Sequence, residues 1–354
     1  MGEIRVAIAG VGNCACSLVQ GVHSCAPNAL YNLMHGKVGD YGIKDIKFVA
    51  AFDIDARKVG RDLSEAIFTE PNCTTKHYSV PYLDIPVQKG PVLDGVGASL
   101  QKLIEVDKTP AANVTKVLKD VKADVLVNFL PTGARKATEH YAMSAVKAKV
   151  AFINCIPEPI ASKPSWQTLF RQNKIPLLGD DIKSQLGATI LHRTLLDLCK
   201  NRGVMVSGTY QHNIGGNADF LNMQDPERYL SKDISKTEAL KSSLVKPSNI
   251  KVFHPSFASF LKDYKVSYIG INGKIYSGSP FSLHVLLSVE DSPNSAGVVI
   301  DAIRIAKIAL DRGMGGSPPG IGYLFKKPPV ELPDYLARVE LIKFINQGEK
   351  IDIS

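Results

Sequence analysis

The stretch I-R-V-A-I-A-G-V-G-N-C-A, residues 4–15, decides the reading of the fold. Glu3–Gly10 is a short run rich in Val, Ile and Ala, the composition of a strand buried on both faces. Gly10, Gly12 and Asn13 end it, and Ser17–Val22 reads as a helix. Strand, glycine turn and helix follow in the order that a dinucleotide site requires. Gly10 permits the tight turn, and Gly12 lets the backbone approach a pyrophosphate. The helix then offers its unpaired N–H groups to the anion. The third glycine of the usual pattern is missing, and Ala15 is the small residue left for close helix–strand packing. Alone, the motif fits a plain structural turn as well.

A second strand, Ile46–Ala51, runs into F-D-I-D at 52–55. An acid at the tip of that strand accepts hydrogen bonds from an adenosine ribose, and no arginine directly follows Asp53, so the pattern favours NAD over NADP. The glycine turn and Asp53 are about 40 residues apart rather than the common ~20, the excess being an insertion at 27–43. A helix N-cap is the competing role for Asp53. Residues 70–97, with four prolines, read as a loop. Beyond them come a helix at Val114–Val121, a strand at Ala123–Phe129 and a helix at Lys136–Lys147. A further strand, Val150–Ile153, ends in N-C-I-P. This alternation predicts an α/β protein with a Rossmann-type, doubly wound parallel sheet. An amphipathic helix ends near Leu198. After it, Val204–Thr209, Lys265–Ile271 and Ser282–Val289 read as a mostly antiparallel sheet, and Ala296–Asp311 as a long helix packing back. The expected division is an NAD-binding domain over 1–190 with 290–354, and an α+β catalytic and oligomerisation domain over 191–289.

Composition bounds the function. The chain has 354 residues, 45% of them hydrophobic and 21% charged, with a mean hydropathy of zero, as in a globular protein. No apolar run reaches the ~18 residues of a membrane span. The N-terminal apolar run carries Arg5 and lacks a basic lead-in and a cleavage site, so the expected address is cytoplasmic. Forty-two basic residues against 34 acidic ones give +8. With no basic run or arginine-rich helix, nucleic acid is not the expected partner, and lysines around a phosphorylated substrate are the alternative. Cysteines at 14, 16, 25, 73, 155 and 199 form no zinc ribbon and read as reduced thiols. The histidines form no H-E-x-x-H array, and there is neither a G-x-S-x-G elbow nor a P-loop.

Three polar clusters mark the second half. G-D-D-I-K-S (179–184) sets two carboxylates beside a lysine, which suits a hydroxylated substrate or a capped helix start. N-I-G-G-N-A-D-F-L-N (213–222) offers glycines among amides and an acid. S-K-D-I-S-K-T (231–237) puts Lys232 and Lys236 four apart, on one face if helical. Their repulsion is relieved by a shared phosphate or oxyanion, though a solvated surface pair reads the same way.

Together these segments resemble the myo-inositol-1-phosphate synthase family, of the shorter archaeal and actinobacterial type. The resemblance runs from Val6 to about Pro329. It rests on G-V-G-N-C-A (10–15), F-V-A-A-F-D-I-D (48–55), V-Q-K-G-P-V-L-D-G (87–95) and the three clusters above. E-D-S-P-N-S-A-G (290–297) and Y-L-F-K (323–326) complete it. It implies conversion of D-glucose 6-phosphate to 1D-myo-inositol 3-phosphate, with oxidation at C5, enolisation at C6, aldol closure onto C1 and reduction at C5. NAD is regenerated within each turnover. It implies a homotetramer, and it leaves a divalent or monovalent cation open.

The resemblance also implies the site. Lys232, Lys236, Lys265 and Lys326 match the family's active-site lysines, and Asp181, Asp219 and Asp291 its carboxylates. One lysine of the site is expected to have its pKa lowered by burial; Lys232 is expected to transfer the proton at C5, while the other lysines hold the phosphate and oxyanions. Ser184, Asn217 and Leu221 are expected at the substrate. Gly10, Gly12, Asn13, Cys14, Asp53, Asn128, Leu130, Thr132, Asn154, Pro157, Asp181, Lys183 and Asp291 are expected at the NAD. The family's K-S-G-Q-T-K reads K-S-Q-L-G-A-T here, one lysine fewer. The rival readings are a sugar-phosphate oxidoreductase with net redox turnover and a nucleotide-binding homologue without catalysis.

Overall fold

β1 (Ile4–Ala9) lies inside a six-stranded parallel sheet in a computed structural model that describes residues 2–24, 32–230, 232 and 249–346. It runs straight into α1 (Asn13–His23), with Gly12 as the N-cap, so the helix begins four residues earlier than the Ser17 start read from sequence. The insertion forms a small hairpin, β2 (Lys37–Val38) with β3 (Tyr41–Gly42), ahead of β4 (Ile46–Asp53). α2 (Leu63–Ala66) and β5 (Val87–Lys89) follow, and β5 lies within the segment read as loop. Then come α3 (Val114–Asp120), β6 (Val125–Asn128), α4 (Arg135–Ala148), β7 (Ala151–Asn154), α5 (Pro164–Gln172) and β8 (Leu177–Leu178).

The sheet order is β5-β4-β1-β6-β7-β8, all parallel. The chain leaves β1 for one side of the sheet and returns to its other side at β6. That reversal opens a crevice at the carboxyl ends of the two strands. One apolar core lies between the sheet and α1, the other between the sheet and α3, α4 and α5.

α6 (Ala188–Asn201) leads to a second sheet of β9 (Met205–Gly215), β10 (Asn249–Val252), β11 (Ser256–Phe257), β12 (Tyr264–Lys274) and β13 (Pro280–Glu290). α7 (Ala218–Asn222) is the turn of helix after β9. β12 pairs antiparallel with β9 and β13, but β10 and β11 run parallel to β9, so the sheet is mixed. α8 (Asp291–Asp311) returns the chain to the first core, where it packs on α1. It is apolar nearly all round, as a helix enclosed on every side must be, and Pro293 falls in its first turn, where the missing N–H costs nothing. The chain then runs beside residues 180–183 as a short ladder. Asp180 N donates to Lys327 O at 2.9 Å, Lys326 N to Asp181 O at 2.8 Å and Lys183 N to Leu324 O at 2.9 Å. α9 (Asp334–Ile345) ends the described chain. Among the described residues no helix is long and apolar enough to cross a membrane.

Candidate active site

One cleft runs from the crevice beside β1 to the near end of the second sheet. Gly10 turns the chain at φ +92°, and a Cβ there would lie 2.7 Å from Phe129 O. Gly12 faces open space instead, with nothing within 4 Å of where its Cβ would stand. Asp53 fixes this turn. Its Oδ2 accepts from Val11 N at 2.7 Å and its Oδ1 from Ile54 N at 2.7 Å and Asp55 N at 3.0 Å. Asn13 reaches across to accept from Cys73 N at 2.8 Å. Cys14, Leu130, Thr132 and Pro157 also line this half.

The other half gathers charge from six separate segments. Asp181, buried and at φ +60°, sits in the G-D-D turn. Its Oδ1 accepts from Lys232 Nζ and from Lys326 Nζ, each at 2.9 Å. Lys232 comes from helical residues beyond α7, Lys326 from the ladder strand. Lys265, on β12, pairs with Asp291 at the start of α8. Asp219 lines the cleft from α7 and accepts from Thr132 N at 3.4 Å, which ties the two halves together.

Lys232 and Lys326 do not titrate alike. Burial opposes the Lys232 charge, but Asp181, Asp219 and Asp291 outweigh it and lift its pKa above that of a free lysine. Burial pulls Lys326 down to about 8, with repulsion from Lys232 and Lys265 adding to it and Asp181 resisting. Burial works against the Asp291 carboxylate too, yet Lys265, Lys232 and Lys326 hold its pKa below the ordinary value. The lowered lysine of the site is thus Lys326 and not Lys232, the residue expected to transfer the proton. Lys232 faces three carboxylates, while Lys326 must share one of them.

Several expected residues point elsewhere. Lys183 Nζ is buried against the Gly322 carbonyl and pairs with Asp334 at 2.7 Å, away from the cleft. Asn128 and Asn154 are fully buried and bonded to each other at 2.8 Å, supporting the strand ends rather than lining the cleft. Leu221 is not among the lining residues, whereas Ser184 and Asn217 are. Asn217 spends its amide on structure, its Oδ1 capping α7 and its Nδ2 donating to Asp263 at 3.0 Å. Asp180, beside Asp181, accepts from Asn154, Ser162 and the amides of 160–162, and its carboxylate is buried in the first domain's core. Lys236 lies outside the described residues.

Sequence reasoning missed the cleft walls formed by Lys58, Asn72, Pro91 and Val92. It also passed over Asp263, which bonds Asn217 and Ser292 and is lifted to about 6 mainly by burial. V-Q-K-G-P-V-L-D-G was the available signal for the 91–95 wall. Among the described residues no cluster of three or more His, Cys, Asp and Glu is placed to hold a metal ion.

Comparison with known proteins gives concordant results. A family model described as Myo-inositol-1-phosphate synthase matches residues 187–292. The inositol-3-phosphate synthase of Mycolicibacterium smegmatis is 49% identical over 97% of this chain and 98% of its own. That of Corynebacterium glutamicum is 48% identical over 97% and 98%. Among solved structures, a myo-inositol-1-phosphate synthase-related protein from Thermotoga maritima aligns with a TM-score of 0.84 at 27% identity, covering 97% of this chain and 98% of that one.

Proposed function

Because the chain belongs to the inositol-3-phosphate synthase family, we propose that it converts D-glucose 6-phosphate to 1D-myo-inositol 3-phosphate with no net redox. The observation that carries this reading is the carboxylate Asp181 shared by two lysines, one of them near pKa 8, beside a glycine turn. The family is NAD-dependent, and the turn fits the dinucleotide. Gly12 is open to the cleft, α1 begins directly after it, and Asp53 ends β4, where an acid suits a ribose. NAD, when bound, supplies a hydride acceptor at C5 and a hydride donor later in the same turnover.

The protein's own groups do the rest. Lys326, neutral for a sizeable fraction of the time near pH 8, takes the C5 hydroxyl proton and returns it at the last step. Lys232 stays an ammonium ion. It stabilises the enolate oxygen at C5 while the substrate's phosphate dianion takes the adjacent C6 proton, and it stabilises the C1 alkoxide of ring closure, which recovers that proton. Lys265, oriented by Asp291, binds the phosphate together with Lys236, which the family resemblance supplies. These roles invert the expectation for Lys232, since a lysine held charged is a poor base.

The assembly we infer is a homo-oligomer, with a tetramer the expected size. The outer face of the second sheet leaves Tyr268 and Leu286 exposed, an apolar surface of the kind that subunits cover.

Incubation of the pure protein with glucose 6-phosphate and NAD, assayed for periodate-sensitive inositol phosphate, tests the reading. The expected result is product with no accumulated NADH. NADH rising in step with substrate loss would establish a net oxidoreductase instead.

A further inference from the structure

Lys58 is a buried cation that none of the steps above employs. Only 4% of it is exposed. Its Nζ donates to Val11 O at 2.8 Å and to Asn72 Oδ1 at 2.9 Å, both neutral acceptors, and it lines the cleft beside the glycine turn. Among the described residues no carboxylate pairs with it. The next residue back does the opposite, because Arg57 is spent on Asp55 through two parallel hydrogen bonds.

Support of the turn does not explain a charge at this place. Val11 O already accepts from Asn72 Nδ2 at 3.0 Å, and Asn72 is anchored in turn to Ile67 O at 2.8 Å. A neutral side chain would complete that arrangement without the several kcal/mol that desolvating an ammonium ion costs. An ammonium has three donors, and two are used. What offsets a buried cation is an anion. The neighbouring surface is the open glycine turn at the N-terminus of α1, the place where this fold receives phosphate oxygens.

We propose that Lys58 is the counter-charge of the dinucleotide pyrophosphate, a binding residue of the cofactor half, an inference that rests on the NAD reading above. The helix end supplies about half a positive charge, against two negative charges on a pyrophosphate diester. Lys58 supplies a full one at the same turn, where Asp53 holds the Val11 amide and Lys58 holds the Val11 carbonyl.

Calorimetric titration of protein freed of bound nucleotide tests this, with NAD, ADP and adenosine as three separate probes. Lys58→Met is expected to weaken NAD and ADP by about 10- to 100-fold, the range for a charge-assisted hydrogen bond. Adenosine, which has no phosphate, is expected to bind it as it binds the parent protein. Lys58→Arg is expected to stay within a few-fold of the parent for all three. If Lys58→Met does not fold, Lys58→Gln, which keeps a donor for Val11 O, gives the same comparison. Unchanged NAD and ADP affinity in the neutral variant would overturn the role, as would an equal loss for adenosine, which marks a collapsed turn. A parent protein that binds neither NAD nor ADP would instead remove the cofactor reading itself.

Discussion

Asp181→Asn is the most informative single change, because one carboxylate oxygen holds two ammonium groups at 2.9 Å each. The described site carries Lys232, Lys265 and Lys326 against Asp181, Asp219 and Asp291, so the substitution leaves one uncompensated positive charge. A charge pair at ~4 Å and an effective dielectric of about 20 interacts by ~4 kcal/mol before relaxation. Observed shifts from such a neighbour are about one to three pKa units. Lys326, near 8 with Asp181 in place, is therefore expected to titrate between about 5 and 7 without it. The assay is kcat/KM against pH, which reports groups of the free enzyme. The active form is the neutral amine, so the parent rate climbs with pH and levels off above about 8. The variant's limb should lie one to three units lower, on a plateau reduced by about 100-fold because the side chains of Lys232 and Lys326 both lose their orienting partner. The substrate phosphate titrates near ~6 in both proteins, so only the difference between the profiles belongs to the lysine. A limb that stays near 8, or moves upward, would refute Lys326 as the base that Asp181 holds.

Two further changes probe the supports of the site. Lys183→Met leaves Asp334 with Arg193 at 3.3 Å as its ion-pair partner and frees the Gly322 carbonyl. Breaking a buried pair from one side costs about 3–5 kcal/mol, and because Arg193 and water still reach Asp334, about 1–2 kcal/mol is expected in urea denaturation; kcat should fall with the loosened ladder while NAD affinity stays level. Asp180→Asn turns an amide N–H₂ toward donors that converge on a carboxylate, at an expected cost of about 2–4 kcal/mol. Burial lifts Asp180 to about 6, so the folded parent holds a proton that the unfolded chain releases between about pH 4 and 6. The parent should lose stability at this residue as pH rises through that window, and denaturation midpoints of the Asn variant should lack that slope.

The parallel sheet was legible because its strands are buried on both faces and read as unbroken Val, Ile and Ala runs. The same holds for Asp53 and the glycine turn, where backbone geometry selects the residue type. Direction within the G-D-D-I-K turn was not legible. Asp181 adopts φ +60°, so Asp180, Asp181 and Lys183 point to three different places although they are adjacent in sequence. The cleft walls at 71–72 and 91–95 carry no periodicity, and tertiary caps set their position. Asp94, for example, accepts from Lys136 N at 2.7 Å and Ala137 N at 2.9 Å at the start of α4. The order of lysine pKa values was hidden for a different reason. It depends on distances among Lys232, Lys265, Lys326 and three carboxylates drawn from segments far apart in the chain.

That dispersal has a mechanical consequence. A reaction that oxidises and later reduces the same carbon needs the cofactor half and the lysine half to keep one geometry throughout. Here the halves are cross-tied near the reacting groups. Thr132 donates its amide to Asp219 and accepts from Asn222 Nδ2 at 2.8 Å. On the other side, Asn13 accepts from the Thr74 amide at 3.3 Å, and the Thr74 hydroxyl lies 3.2 Å from Asp263, which in turn holds Asn217. The proposed base, Lys326, arrives on a ladder strand hydrogen-bonded to the turn that carries Asp181, so one backbone ladder holds both. The first two ties each couple a cofactor-facing residue to one in the substrate half. Loosening either of them should therefore raise the share of turnovers that release NADH and an oxidised sugar phosphate before ring closure.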